Sequence, residues 1–82
     1  MEEFILSSED LRDGKIWIVK LLYLSSLVET RLEARRLISQ GEVTVDRERM
    51  LDVNAEVVIK DGTILKVGKF SFCKIKIISS QI

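Results

Sequence analysis

Histidine and proline are absent from these 82 residues, cysteine occurs once, and the charged side chains cancel to a formal net charge of +0. Each absence removes a class of function. With no histidine and a single thiol, Cys73, the chain lacks the donor set of a structural zinc site and cannot close an internal disulfide, which suits a reducing compartment. General acid–base catalysis near neutral pH draws on histidine, or on a carboxylate or lysine tuned by its surroundings, and the carboxylates here are scattered without paired spacing. The phosphate-cradling patterns G-x-x-x-x-G-K-[ST] and G-x-G-x-x-G both fail, and Gly68-Lys69 is too little to stand for either. Neither an active site nor a bound cofactor or metal is therefore expected, and Cys73 reads as a buried structural thiol. No apolar run approaches the roughly 18–20 residues that cross a bilayer, and no basic-then-apolar leader opens the chain. The expectation is a cytoplasmic protein with no membrane partner.

What is present suffices for one small core. Hydrophobic residues make up 46% and charged residues 32%, a balance that argues against disorder. The length leaves room for a single domain, taken as residues 1–82. A net charge of +0 speaks against a polyanionic partner until its distribution is considered. Residues 1–30 hold three basic and six acidic groups, whereas residues 31–82 hold ten and seven. The halves are thus −3 and +3, so one face can attract a polyanion locally while long-range steering stays weak.

The opening MEEFIL fits a short strand or a loose arm, and SSEDL after it fits one turn of helix begun by Ser7 or Ser8. From Gly14 the run KIWIVKLLYLSS reads as a helix of about ten residues, apolar nearly all round, which needs covering on more than one side. The second helix is better defined. Thr30-Arg31-Leu32-Glu33 is a capping box, Ala34, Leu37 and Ile38 repeat at core-facing spacing, and Gly41 stands where a left-handed C-terminal cap belongs. Beyond Gly41, the runs EVTV, RML, EVVI, TILKV and FSFCKIKII are β-branched, short and divided by charged or glycine turns. They predict a small antiparallel sheet with an Asp61-Gly62 hairpin. In the last run Cys73, Ile75 and Ile77 alternate with Phe72, Lys74 and Lys76, so a strand buries the first set and turns the lysines out. Helices before strands give an α+β class, two or three short helices packed on a small, mainly antiparallel sheet.

Arg31, Arg35 and Arg36 lie on the second helix, the first two on one flank of the apolar stripe and Arg36 farther toward solvent. Arginine suits phosphate because its planar fork donates two hydrogen bonds and keeps its charge. Three arginines beside Glu33 also fit an ordinary solvated face.

The segment TRLEARRLISQGEVTV resembles the core motif of the S-four-type RNA-binding domain, Ser-basic-x-Glu-Ala-Arg-basic-Leu-Ile-x-x-Gly-x-Val. Arg31, Glu33, Ala34, Arg35, Arg36, Leu37, Ile38, Gly41 and Val43 match it, with Thr30 in the place of the serine and the motif spanning residues 30–46. The flanks GKIWIVKLLYLSSLV and ILKVGKFSFCKIKI are similar to the C-terminal domain of bacterial-type tyrosyl-tRNA synthetases, a likeness that covers residues 4 to 78. In that family a glycine-lysine pair followed by an aromatic opens the last strand, as Gly68, Lys69 and Phe72 do here.

The resemblance implies an S-four-like fold that grips the anticodon stem and long variable arm of tyrosine tRNA. It implies an excised piece without catalysis of its own, whose parent is a homodimeric ligase with a separate catalytic domain that uses ATP and magnesium. Arg31, Arg35 and Arg36 are its first expected RNA contacts, with Arg47, Arg49 and Lys69 extending the patch. Two alternatives stay open: a ribosomal-RNA-binding module, and a protein-docking domain that uses the apolar first helix. Phe70 and Phe72 read as core rather than as rings for base stacking, and Trp17 as buried within the domain. The sequence departs from the family at Ser26, where glycine is usual, and at Asp46-Arg47, which replaces Asn-Gly and suggests a longer turn.

Overall fold

The computed structural model describes residues 2–78. A strand β1 (Glu2–Ser7) leads into a single 3₁₀ turn (Ser8–Asp10), whose first free amide, Glu9 N–H, is accepted by the Ser7 hydroxyl at 3.2 Å. Then follow β2 (Lys15–Trp17), α1 (Ile18–Leu24) and α2 (Arg31–Ser39). The remaining strands are β3 (Val43–Val45), β4 (Glu48–Met50), β5 (Glu56–Val58), β6 (Ile64–Val67) and β7 (Ser71–Ile78). The main sheet runs β1-β7-β6-β3-β4, and β2 pairs with β5 in a separate two-stranded sheet. Every pairing is antiparallel except β1 with β7, so the opening residues form a parallel edge strand. The architecture is α+β, as expected.

One buried cluster joins the inner face of the sheet (Leu6, Val43, Val45, Leu65, Val67, Cys73, Ile75) to Ile18, Val19, Leu21 and Leu22 of α1 and Ala34 and Ile38 of α2. The run from Gly14 is not one helix, and this corrects the ten-residue expectation. Lys15, Ile16 and Trp17 are exposed, buried and half-buried in turn and pair with Val58, Val57 and Glu56, so only seven residues remain helical. Its all-round apolarity comes from joining two elements that bury different faces. The break is partly compensated, because the first free amide of the new helix start, Ile18 N–H, donates to the Ala55 carbonyl at 2.9 Å.

Two turn expectations also change. Asp61-Gly62 sits in a tight turn, residues 60–63, closed by Thr63 N–H to the Lys60 carbonyl at 3.0 Å. It links β5 to β6, which lie in different sheets, so it makes no hairpin. Conversely, Asp46-Arg47 is the tight turn and not a longer one. Val45 pairs directly with Glu48, and both turn residues are left-handed, at φ 50° and 74°. Asp46 makes this possible: its amide donates to the Ile64 carbonyl at 2.8 Å and its carboxylate accepts the Ile64 amide at 2.9 Å, extending the β3–β6 ladder by one rung. Arg47 has no such compensation. Arg47→Gly should therefore stabilise the fold by roughly 0.5–1 kcal/mol, relief of left-handed strain outweighing the looser unfolded chain. A higher urea midpoint at unchanged m-value would show it; a lower one would refute it.

Cys73 is buried on the inner face opposite Glu2. Burial pushes its thiol pKa up, and the Glu2 carboxylate adds to the rise. As pH climbs past the ordinary thiol range the unfolded chain loses its proton first. Stability should thus be full below that range and fall with a slope of at most about 1.4 kcal/mol per pH unit until the folded thiol ionises. Denaturant titrations across this window should show the decline in the native chain and its disappearance in Cys73→Val.

Candidate nucleic-acid interface

Helix α2 is set by its ends. The Thr30 hydroxyl accepts the Glu33 amide at 3.1 Å. At the other end Gly41 N–H donates to the Ile38 carbonyl and Glu42 N–H to the Leu37 carbonyl, each at 3.0 Å, which is a Schellman cap. Gly41 holds φ +74°, and a Cβ there would stand 3.3 Å from both Arg49 Cδ and Leu51 Cδ2. This glycine therefore does two things: it ends the helix and lets the Arg49 side chain lie against that end.

Ala34 and Ile38 anchor α2 in the core, which turns Arg31, Arg35 and Arg36 to solvent. The arginines are not loose. The Arg31 guanidinium carbon lies 5.4 Å from the ring centroid of Tyr23 in α1, and that of Arg35 lies 5.8 Å from the Trp17 ring. Trp17 is itself fixed by a 2.7 Å hydrogen bond from its indole Nε1 to the Val53 carbonyl. Stacking of this kind restrains the guanidinium plane while leaving its edge donors free to meet phosphate. An open hollow alongside is lined by Thr30, Leu32, Glu33, Arg35, Arg36 and Ser39.

The other predicted residues divide by sheet geometry. The Gly68 amide donates to the Glu42 carbonyl at 2.7 Å, so the β6–β7 turn with the exposed Lys69 sits beside the chain leaving α2. Arg49 also belongs to this region, through its contact at Gly41. Arg47 does not: its turn caps the opposite ends of β3 and β4, and it borders a hollow with Thr44, Ile64, Lys66 and Phe72. The structure thus gathers Arg31, Arg35, Arg36, Arg49 and Lys69 around α2 and leaves Arg47 apart.

Sequence reasoning missed several contributors. Trp17 is half-buried and packed on the core as expected, but its role as a seat for Arg35 was not foreseen, nor was that of Tyr23 for Arg31. Phe70 and Phe72 correct the core reading, being 90% and 39% exposed. The signal for Phe72 was present, since it shares the alternation of Lys74 and Lys76. The four core-facing residues of α1, Ile18, Val19, Leu21 and Leu22, are all covered within the chain, which removes the apolar docking face proposed for that helix.

The S4 domain profile matches residues 16–62, from β2 through the turn before β6 and across the whole of α2. The chain belongs to the S4 domain family. Among curated proteins it is similar to the tyrosine–tRNA ligase of Moorella thermoacetica, 35% identical over 79% of this chain and 16% of that protein. The tyrosine–tRNA ligase of Carboxydothermus hydrogenoformans is 36% identical over 89% of the chain and 18% of the ligase. That of Coxiella burnetii is 32% identical over 95% of the chain and 19% of the ligase. The S4 chain spans less than a fifth of the length of these relatives. Among its described residues no helix is long and apolar enough to cross a membrane, and no group of histidine, cysteine and carboxylate side chains is placed to hold a metal.

Proposed function

We propose that this S4 domain is the RNA-gripping part of a cytoplasmic tyrosine–tRNA ligase, and that α2 lies against the anticodon stem and long variable arm of tyrosine tRNA. The observation that carries the reading is the pair of restrained guanidiniums at Arg31 and Arg35, with the exposed Arg36 beside them and Arg49 continuing the row across Gly41. Such an array meets phosphates of a folded RNA and positions it without reading bases, because A-form grooves are recognised by shape, phosphate and 2′-hydroxyl. The relatives named tyrosine–tRNA ligase favour this target over ribosomal RNA. Ligation, with its ATP and magnesium, belongs to a separate catalytic part of a homodimeric parent. The role of this chain is to raise the local concentration of tRNA at that site.

Titrating the chain at two salt concentrations with tyrosine tRNA, and with a tRNA whose variable arm is short, tests the proposal. Tighter binding to the long-armed tRNA is expected, with a log–log salt slope near −3 to −4.5 for about four or five phosphate contacts. Equal, weak binding to both would refute the assignment to tyrosine tRNA.

A further inference from the structure

We propose that the solvent face of the five-stranded sheet is a second RNA-contact surface, one that takes an unpaired nucleotide with its base stacked on Phe72 and its phosphates at Lys66 and Lys74. The inference rests on the reading of the chain as an RNA binder but concerns a surface on the opposite side of the sheet from α2. Register places the line Thr44, Lys66, Phe72 across β3, β6 and β7, all pointing away from the buried cluster. At about 4.8 Å between strands this line spans roughly 10 Å, room for one nucleotide and its flanking phosphates. Lys74 and Lys76 extend it along β7 on the same face. The acidic groups there are Glu3, opposite Lys74, and Asp46 and Asp61, whose carboxylates already accept the Ile64 and Ile77 amides, against Arg47, Lys66, Lys74 and Lys76. The face is therefore net basic around an exposed ring.

Two features set this face apart from an ordinary solvated one. Surface lysines that prevent aggregation guard the edges of a sheet, whereas Lys66, Lys74 and Lys76 stand on β6 and β7, both interior strands. Phe72, 39% exposed, also lacks the core role that its size would suit. The Lys66 ammonium lies 5.2 Å from its ring centroid, beside the hollow lined by Thr44, Arg47, Ile64 and Lys66. An arriving base replaces that ammonium on the ring and offers it a phosphate. Phe70, 90% exposed in the adjoining turn, supplies a second ring at the end of the sheet. An aromatic on a sheet among cations is the arrangement that stacks single-stranded bases, and a duplex, with its bases already stacked inside, gains nothing from it.

The test titrates the whole 82-residue chain with two probes, an unstructured RNA of about eight nucleotides and a fully paired RNA hairpin. Phe72→Ala should weaken single-strand binding about fivefold or more and change hairpin binding by less than about twofold, while Phe72→Tyr keeps both. Arg35→Ala should show the reverse pattern. Lys66→Gln, which leaves the strand packing alone, should lower the salt slope for the single strand only, and denaturant unfolding of each variant separates misfolding from lost contact. Hairpin binding without single-strand binding, or a Phe72→Ala chain that binds the single strand as before, overturns this inference and spares the α2 reading. Failure of both probes to bind overturns the RNA reading itself.

Discussion

Replacing Arg31, Arg35 and Arg36 together by alanine should reduce affinity for structured RNA by roughly 10²–10³-fold near 0.1 M salt and flatten the log–log salt slope by about three. The estimate follows from counterion release, each lost phosphate contact being worth roughly tenfold at that salt. Stability should suffer far less. All three side chains are exposed, and the stacks of Arg31 on Tyr23 and Arg35 on Trp17 add only about 0.5–1 kcal/mol each. Lysine at the same positions should restore most of the slope but not all of the affinity, because an ammonium keeps the charge and loses the planar fork. Filter binding across a salt series, with denaturant unfolding of the same variants, separates these terms. An unchanged slope in the triple alanine variant would show that α2 does not face the phosphates.

The second large effect lies beneath the same helix. Ile38 is fully buried where α2 meets the core, and Ile38→Ala should cost about 2–5 kcal/mol through lost apolar transfer and the cavity left behind. In a chain of 82 residues, whose total stability falls near 4–12 kcal/mol, that is a large share. The thermal midpoint should drop by roughly 10–30 °C. RNA affinity measured on the folded fraction in the cold should hold, because the arginines leave the helix on the opposite side. A loss under about 1 kcal/mol would mean that α2 can detach from the core without penalty.

Elements whose local chemistry is complete were legible in the sequence. Helix α2 was placed to within a residue by Thr30, the apolar stripe and Gly41, since a cap and a 3.6-residue repeat are satisfied within one short segment. The alternation of Cys73 and Ile75 with Lys74 likewise reported a half-buried strand. Elements that depend on a distant partner were misread. The run from Lys15 to Leu24 breaks into strand and helix because Glu56–Val58 pairs with its first three residues, some forty positions away. Asp46-Arg47 closes a tight turn only because Ile64 supplies both a donor and an acceptor to Asp46.

The candidate site divides along the same line. Composition and motif alone determined an α+β chain with a basic helix, without histidine or paired carboxylates for catalysis, and of S-four type. Those properties are carried by residue type and by spacing within a turn or two. Which cations stand together was decided only in three dimensions: Arg49 reaches α2 across Gly41, Lys69 follows it through the Gly68 hydrogen bond, and Arg47 is left with Lys66 and Phe72 on the far face. Strand order and register set those distances, and they arise from long-range pairing energies that no local window of sequence contains.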